Sequence, residues 1–234
     1  MTTINDQGVA KLSQRQQSAE VAVFLLLIVP SMALSFLAVR QGGLSFPLVA
    51  VSVILRDLAL VSLILYFLWR NGEPVGYIGW RLTSFRKDAV LGLLLFPLVF
   101  FGAALLNQAL VKMGLSTPKT PLPSMLAFRG VAESLLAFVL VVVVAIAEET
   151  IFRGYLILRF AAVTRSPLAA VLLSSIVFSI GHGYEGSAGV VTVGTMGLVF
   201  AIVYLWRRSL VAPVTMHFLQ DFLAIVLLPA LGAK

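Results

Sequence analysis

No cysteine occurs in this sequence. That absence excludes a disulfide framework, a thiol nucleophile and a thiolate metal site. Charge is scarce as well: 12% of the residues are charged, against about 25% in ordinary soluble domains. The formal net charge is +7, yet the sequence has neither a basic run nor an acidic tail. Its lysines and arginines are scattered between apolar stretches, where membrane topology accounts for them, so nucleic-acid binding is set aside. An H-E-x-x-H metal motif, a fixed-period repeat and a low-complexity tract are all missing. Histidine occurs only twice, as His182 and His217.

Apolar residues are abundant. They make up 60% of the chain, and the mean hydropathy is +1.02. A bilayer core about 30 Å thick needs roughly 20 apolar residues per helical span. Several stretches meet that length, and seven spans result: about Val21 to Val39, Phe46 to Trp69, Ala89 to Val111, Ala132 to Ala162, Pro167 to His182, Val190 to Trp206 and Leu210 to Leu228. The expected fold is an all-α polytopic transmembrane helix bundle of about seven spans (six to eight), with no β-sheet. Residues 1–19 read as a short, loosely ordered polar tail before a single transmembrane domain over 20–234. The first span is longer than a signal-peptide core and others follow it, which suggests an uncleaved signal anchor.

The loops fit this pattern. "RNGEPVGYIGWRLTSFRKD" holds turn-forming Gly and Pro, and its Tyr77 and Trp80 suit the headgroup belt. "KMGLSTPKTPLPSMLAFRG" has three prolines and reads as an extended loop or a short interfacial helix. "TRSP" breaks the chain, and Pro167 suits the first turn of span five. Span four is longer than a bilayer requires, so its charged second half is expected to leave the hydrocarbon. With the N-terminus inside, ten basic residues fall on the inner side and five on the outer. The positive-inside rule therefore favours a cytoplasmic N-terminus in a multi-pass protein of the plasma (inner) membrane, with membrane lipids as its surroundings.

The charges inside the apolar runs then need a purpose, because intramembrane ionisable residues mark functional sites by default. Span four carries Glu148, Glu149 and Arg153, span five ends on His182, and span seven carries His217 and Asp221. Residues four apart share a helix face. Glu149 can therefore pair with Arg153, His217 with Asp221, and Phe178 sits on the face of His182. Glu148 lies about 100° around the helix from Glu149 and shares its face with Phe152, so no cation on its own helix reaches it. A positioned carboxylate of this kind is a general-base candidate. Arg56 and Asp57 lie within span two. As sequence neighbours they point apart on a helix and are not expected to pair directly; Arg56 would pair with a carboxylate of another span or hold the bundle together.

Three motifs stand in order on successive spans: "EETIFR" as E-E-x-x-x-R, "FSIGH" as F-x-x-x-H and "HFLQD" as H-x-x-x-N/D. With them the stretch from about Ala132 to Leu228 resembles the CPBP family of intramembrane proteases, the CAAX prenyl endopeptidase and bacteriocin-processing group, also called the Abi family. The resemblance implies that Glu148 activates a water which His182 helps to hold. It implies that His217 and Asp221 stabilise the oxyanion, that Glu149 and Arg153 position Glu148, and that no covalent intermediate forms. Family members that process prenylated proteins commonly have asparagine where this chain has Asp221. Asparagine donates a hydrogen bond, whereas an ionised aspartate only accepts; Asp221 can instead hold His217 in its cationic, donating form.

Other readings share these residues. Two histidines and a carboxylate could bind zinc in a metal-dependent protease. A scaffold or bacteriocin-immunity protein could bind a partner through the same cavity. A transporter would be expected to show repeated halves, and none is visible. On the protease reading no cofactor is needed, and the partner is a peptide or protein substrate at the membrane, with or without a lipid modification.

Overall fold

The computed structural model describes residues 12–41, 45–117 and 128–231. Among them, seven helices follow one another with no strand. They are α1 (Gln14–Gln41), α2 (Phe46–Arg70), α3 (Phe85–Lys112), α4 (Gly130–Thr164), α5 (Pro167–Ile180), α6 (Gly186–Arg207) and α7 (Val211–Ala230). Residues 1–11, 42–44, 118–127 and 232–234, which include the start of the polar tail and the proline-bearing stretch, lie outside the described residues.

Helices α2, α3, α4, α7, and α6 with the turn before it, are long and apolar enough to cross a membrane. Their outer faces explain why one is needed: Trp69, Leu94, Leu98 and Val131 are at least 70% exposed. Apolar faces on this scale need lipid rather than water. The chain is an integral membrane protein.

Helix ends follow local chemistry. Ser166 caps α5 by accepting from the Ala169 N–H at 3.2 Å, and Pro167 occupies the first turn. Arg165 closes α4 and Arg208 closes α6, each in the left-handed conformation. α5 stops at Ile180. His182 was expected at the end of that span, but it lies one residue past the terminal Gly181, before a 3₁₀ turn over Gly183–Glu185.

α1 begins at Gln14, inside the stretch expected to be a loose tail. Its polar side chains find partners at the far end of α4. Gln14 Nε2 donates to the Val163 carbonyl at 3.1 Å, and Arg165 Nη2 donates to Gln14 Oε1 at 3.3 Å. Nearly two turns further on, Glu20 is buried and accepts from Tyr155 and Arg159 of α4.

The core forms around the second half of α4. Phe24 and Ile28 of α1, Ile64 and Phe67 of α2, Ile151 and Tyr155 of α4, Phe178 of α5 and Tyr204 of α6 belong to one buried cluster. All eight residues of Glu149–Leu156 are buried. The charged half of α4 therefore sits inside protein, surrounded by α1, α2, α5 and α6, and its charges meet other side chains rather than lipid.

The loop between α2 and α3 is clamped into this core. A short 3₁₀ turn, Val75–Ile78, leads to Gly79 at φ 91°. A Cβ on Gly79 would meet Tyr204 Cε2 at 2.5 Å, and a Cβ on Gly154 would meet the Ile78 carbonyl at 2.7 Å. Glycine at both places lets the loop backbone touch α4 and α6. Trp80, expected at headgroup level, donates from Nε1 to Thr150 of α4 at 3.1 Å.

Candidate active site

The helical ladder changes in α4 where the charges begin. Residues Gly130–Glu148 are α-helical, and Glu149–Leu156 are π-helical. Such wide turns inside α-helices recur at functional sites. Here the change of pitch starts between the two glutamates. Glu148 stays on the α-helical side and lines a cavity, while Glu149 turns into the core and is fully buried.

Glu149 and Arg153 pair as their spacing suggests, with Oε1 and Nη1 2.9 Å apart. The Arg153 guanidinium also lies over the Phe178 ring, 4.1 Å from its centroid, and 5.4 Å from that of Phe200. Desolvated cation–π contacts of this kind help to hold a buried cation. The same Glu149 oxygen accepts a hydrogen bond from His217 Nδ1 of α7 at 2.8 Å. One carboxylate thus ties Arg153 to the histidine of another helix, a link that spacing along α4 alone could not show.

His217 faces carboxylates on both nitrogens. Its Nε2 lies 3.7 Å from Glu148 Oε2 and 3.5 Å from Asp221 Oδ2. An imidazole meets acceptors on both sides by carrying a proton on each nitrogen. Phe178 and Phe200 flank the ring, with centroids 6.1 and 6.0 Å away.

His182 reaches the same space from the α5–α6 turn. Its Nδ1 donates to the Phe178 carbonyl at 3.0 Å, and its ring packs on Phe178 with centroids 4.8 Å apart. The helix ends before His182, but the face shared with Phe178 survives through this contact. A proton on Nδ1 leaves Nε2 of the neutral ring as an acceptor, the arrangement needed to hold a water.

Glu148, His182, His217 and Asp221 all line one cavity of about 680 Å³. No hydrogen bond among the described residues joins His182 to Glu148, although both line this cavity. Buried polar atoms without hydrogen-bond partners gather around it, including Glu148 Oε2, Gln220 Oε1 and Asp57 Oδ2. Buried polar groups are normally satisfied, so such a concentration calls for an explanation. Among the described residues, no group of three or more His, Cys, Asp or Glu side chains is arranged to hold a metal ion.

Two residues on α2 correct the expectation from sequence. Arg56 and Asp57 do pair directly: Arg56 Nε and Nη2 each lie 2.8 Å from Asp57 Oδ1. Their Cβ atoms diverge on the helix, but the arginine stem is long enough to fold back. Both line the cavity, and Arg56 Nη2 comes within 4.0 Å of Glu148 Oε1. Glu148 therefore has a cation after all, supplied by a different helix. Tyr184 and Glu185 of the α5–α6 turn also line the cavity. They follow "FSIGH" directly, but no periodic signal marked them.

Residues 130–223 match the family model described as type II CAAX prenyl endopeptidase, Rce1-like. The match agrees with the resemblance to the CPBP family, and at family level it supports a peptidase of the CAAX-type intramembrane class. It begins with the first residue of α4 and ends within α7, taking in Glu148, Glu149, Arg153, Phe178, His182, His217 and Asp221. Helices α1–α3 lie outside it. No curated protein and no solved structure matches the chain.

Proposed function

Taking the Rce1-like match over α4–α7 as premise, we propose that this chain is an intramembrane endopeptidase which hydrolyses a peptide bond of a membrane-associated protein or peptide. The observation that carries this reading is the meeting of Glu148, His182, His217 and Asp221, from three separate segments, on one cavity in a lipid-facing bundle.

Water is a poor nucleophile and needs a positioned base. On this reading Glu148 takes its proton, and His182 accepts a hydrogen bond from the same water through Nε2. Attack on the scissile carbonyl places negative charge on its oxygen, which needs donors aimed beforehand in a water-poor site. His217 supplies the donor from Nε2, and Asp221 keeps that nitrogen protonated and oriented. Glu149 and Arg153 act one step back: Glu149 fixes the His217 ring, and Arg153 over Phe178 fixes Glu149. The proton held by Glu148 then passes to the leaving amine, and both products carry ordinary termini. No residue is acylated. By the positive-inside rule, the end of the bundle bearing Arg81, Arg86, Arg207 and Arg208 faces the cytoplasm.

The test begins with membranes from cells carrying either the wild-type chain or Glu148→Gln, compared for protein termini. Termini that remain uncut only with the variant are the expected result. If both membranes show the same termini, the scaffold or immunity reading takes over. The purified protein is also assayed on an internally quenched, prenylated CAAX-type peptide with and without a chelator. Cleavage lost to the chelator and restored by zinc would replace the water-and-glutamate mechanism with a metal-dependent one.

A further inference from the structure

Arg56 and Asp57 have no part in the mechanism above and lie outside the matched segment. Their arrangement nevertheless points at its centre. Asp57 is 1% exposed, and its Oδ1 receives both the Nε and the Nη2 of Arg56 at 2.8 Å. Its other oxygen, Oδ2, is buried without a hydrogen bond. Asp57 thus acts as a bracket that sets the direction of one guanidinium. An arginine serving only to tie helices together would be expected to bond a carboxylate on another helix. Arg56 is anchored on its own helix instead, and the carboxylate it faces across the gap is Glu148, at 4.0 Å.

Among the described residues lining the cavity, Arg56 is the one lysine or arginine, whereas Asp57, Glu148, Glu185 and Asp221 are all acidic. Glu148 has Asp221 and His217 of α7 on one side and Arg56 of α2 on the other, with Arg153 further along its own helix. Without Arg56, the acids on the cavity wall would push the Glu148 carboxylate away from them, and its Oε1 would have no cation within 4 Å.

We propose that Arg56, aimed by Asp57, is a positioning residue that holds the Glu148 carboxylate in its water-activating orientation. The inference rests on the reading of Glu148 as the base. Its consequence is specific. Arg56 acts through Glu148 and not through substrate, so its loss lowers turnover and leaves substrate affinity alone. Misplacing a catalytic group by about 1 Å is enough to lower turnover about 10²-fold.

The experiment measures kcat and KM on the quenched prenylated CAAX-type peptide for the full-length protein in detergent, using only the monodisperse fraction. Arg56→Gln is expected to lower kcat by about 10²-fold with KM within twofold. Arg56→Lys keeps the charge and is expected to recover most of that loss. Asp57→Asn, which weakens the bracket and spares the guanidinium, is expected to fall between them. A kcat for Arg56→Gln within threefold of wild type would overturn the proposal. So would an unchanged kcat with a raised KM, which would make Arg56 a substrate contact. A lysine variant as poor as the glutamine variant would also overturn it. Glu148→Gln is run alongside. If it still cleaves, the reading of the base fails and this inference fails with it; if it is inactive while the Arg56 variants behave as wild type, only the present inference falls.

Discussion

Helix α4 carries two groups of buried charge that differ in one respect. Near its C-terminal end, Glu20 accepts from Arg70 and Asn71 on one oxygen and from Tyr155 and Arg159 on the other, at 2.7–2.9 Å. Arg159 continues to both oxygens of Glu73. Every polar atom of this knot that is buried has a partner. Two turns away, Glu148 Oε2, Glu149 Oε2 and Arg153 Nη2 are buried without hydrogen bonds. Both groups occupy low-dielectric surroundings where unpaired charge is expensive. The first is complete and closes the joint between α1, α2 and α4. The second is incomplete and borders a cavity, which on the proposed reading receives a water and a peptide. Charge count alone would not separate them; satisfaction of the polar atoms does.

The strongest way to break this comparison is Glu148→Gln. It should reduce cleavage by about 10³-fold and leave the melting temperature of the purified protein unchanged. A melting shift of several degrees would instead place Glu148 among the structural charges. Arg159→Met should do the reverse. It removes the cation that Glu20 and Glu73 share and leaves Glu20 with Arg70, Asn71 and Tyr155, so unfolding stability in mild denaturant should drop by about 3 kcal/mol, while kcat per folded molecule stays at the wild-type level. Gly154→Ala sits between the groups and pushes a methyl against the Ile78 carbonyl. It should cost about 1–3 kcal/mol of stability, measured the same way, with a partial loss of activity because the displaced segment carries both Glu149 and Arg153. Trp80→Phe removes one hydrogen bond to Thr150; a loss of about 1 kcal/mol is expected, with turnover unaffected.

Much of the fold was legible because hydrophobic length is a one-dimensional signal. The seven apolar stretches correspond to α1–α7, and Pro167 marked the start of α5. Differences arose where helix ends depend on neighbours. Gln14 to Ala19 are helical because Gln14 and Glu20 bond to α4, and α5 ends early at Gly181. Within the site, the Glu149–Arg153 pair and the Phe178–His182 contact could be read from spacing. Arg56 could not. The rule that adjacent residues diverge holds for Cβ atoms, and a flexible four-atom stem escapes it.

Sequence alone determined the class of the molecule, an apolar helical membrane chain, and the order of its motifs, because span length and i, i+4 spacing act within one continuous segment. Only the tertiary structure decided which helices share their charges: Glu149 with His217, Arg56 with Glu148, Glu20 with Arg159. Those meetings depend on the rotation and depth at which separate helices pack, and no local periodicity encodes either.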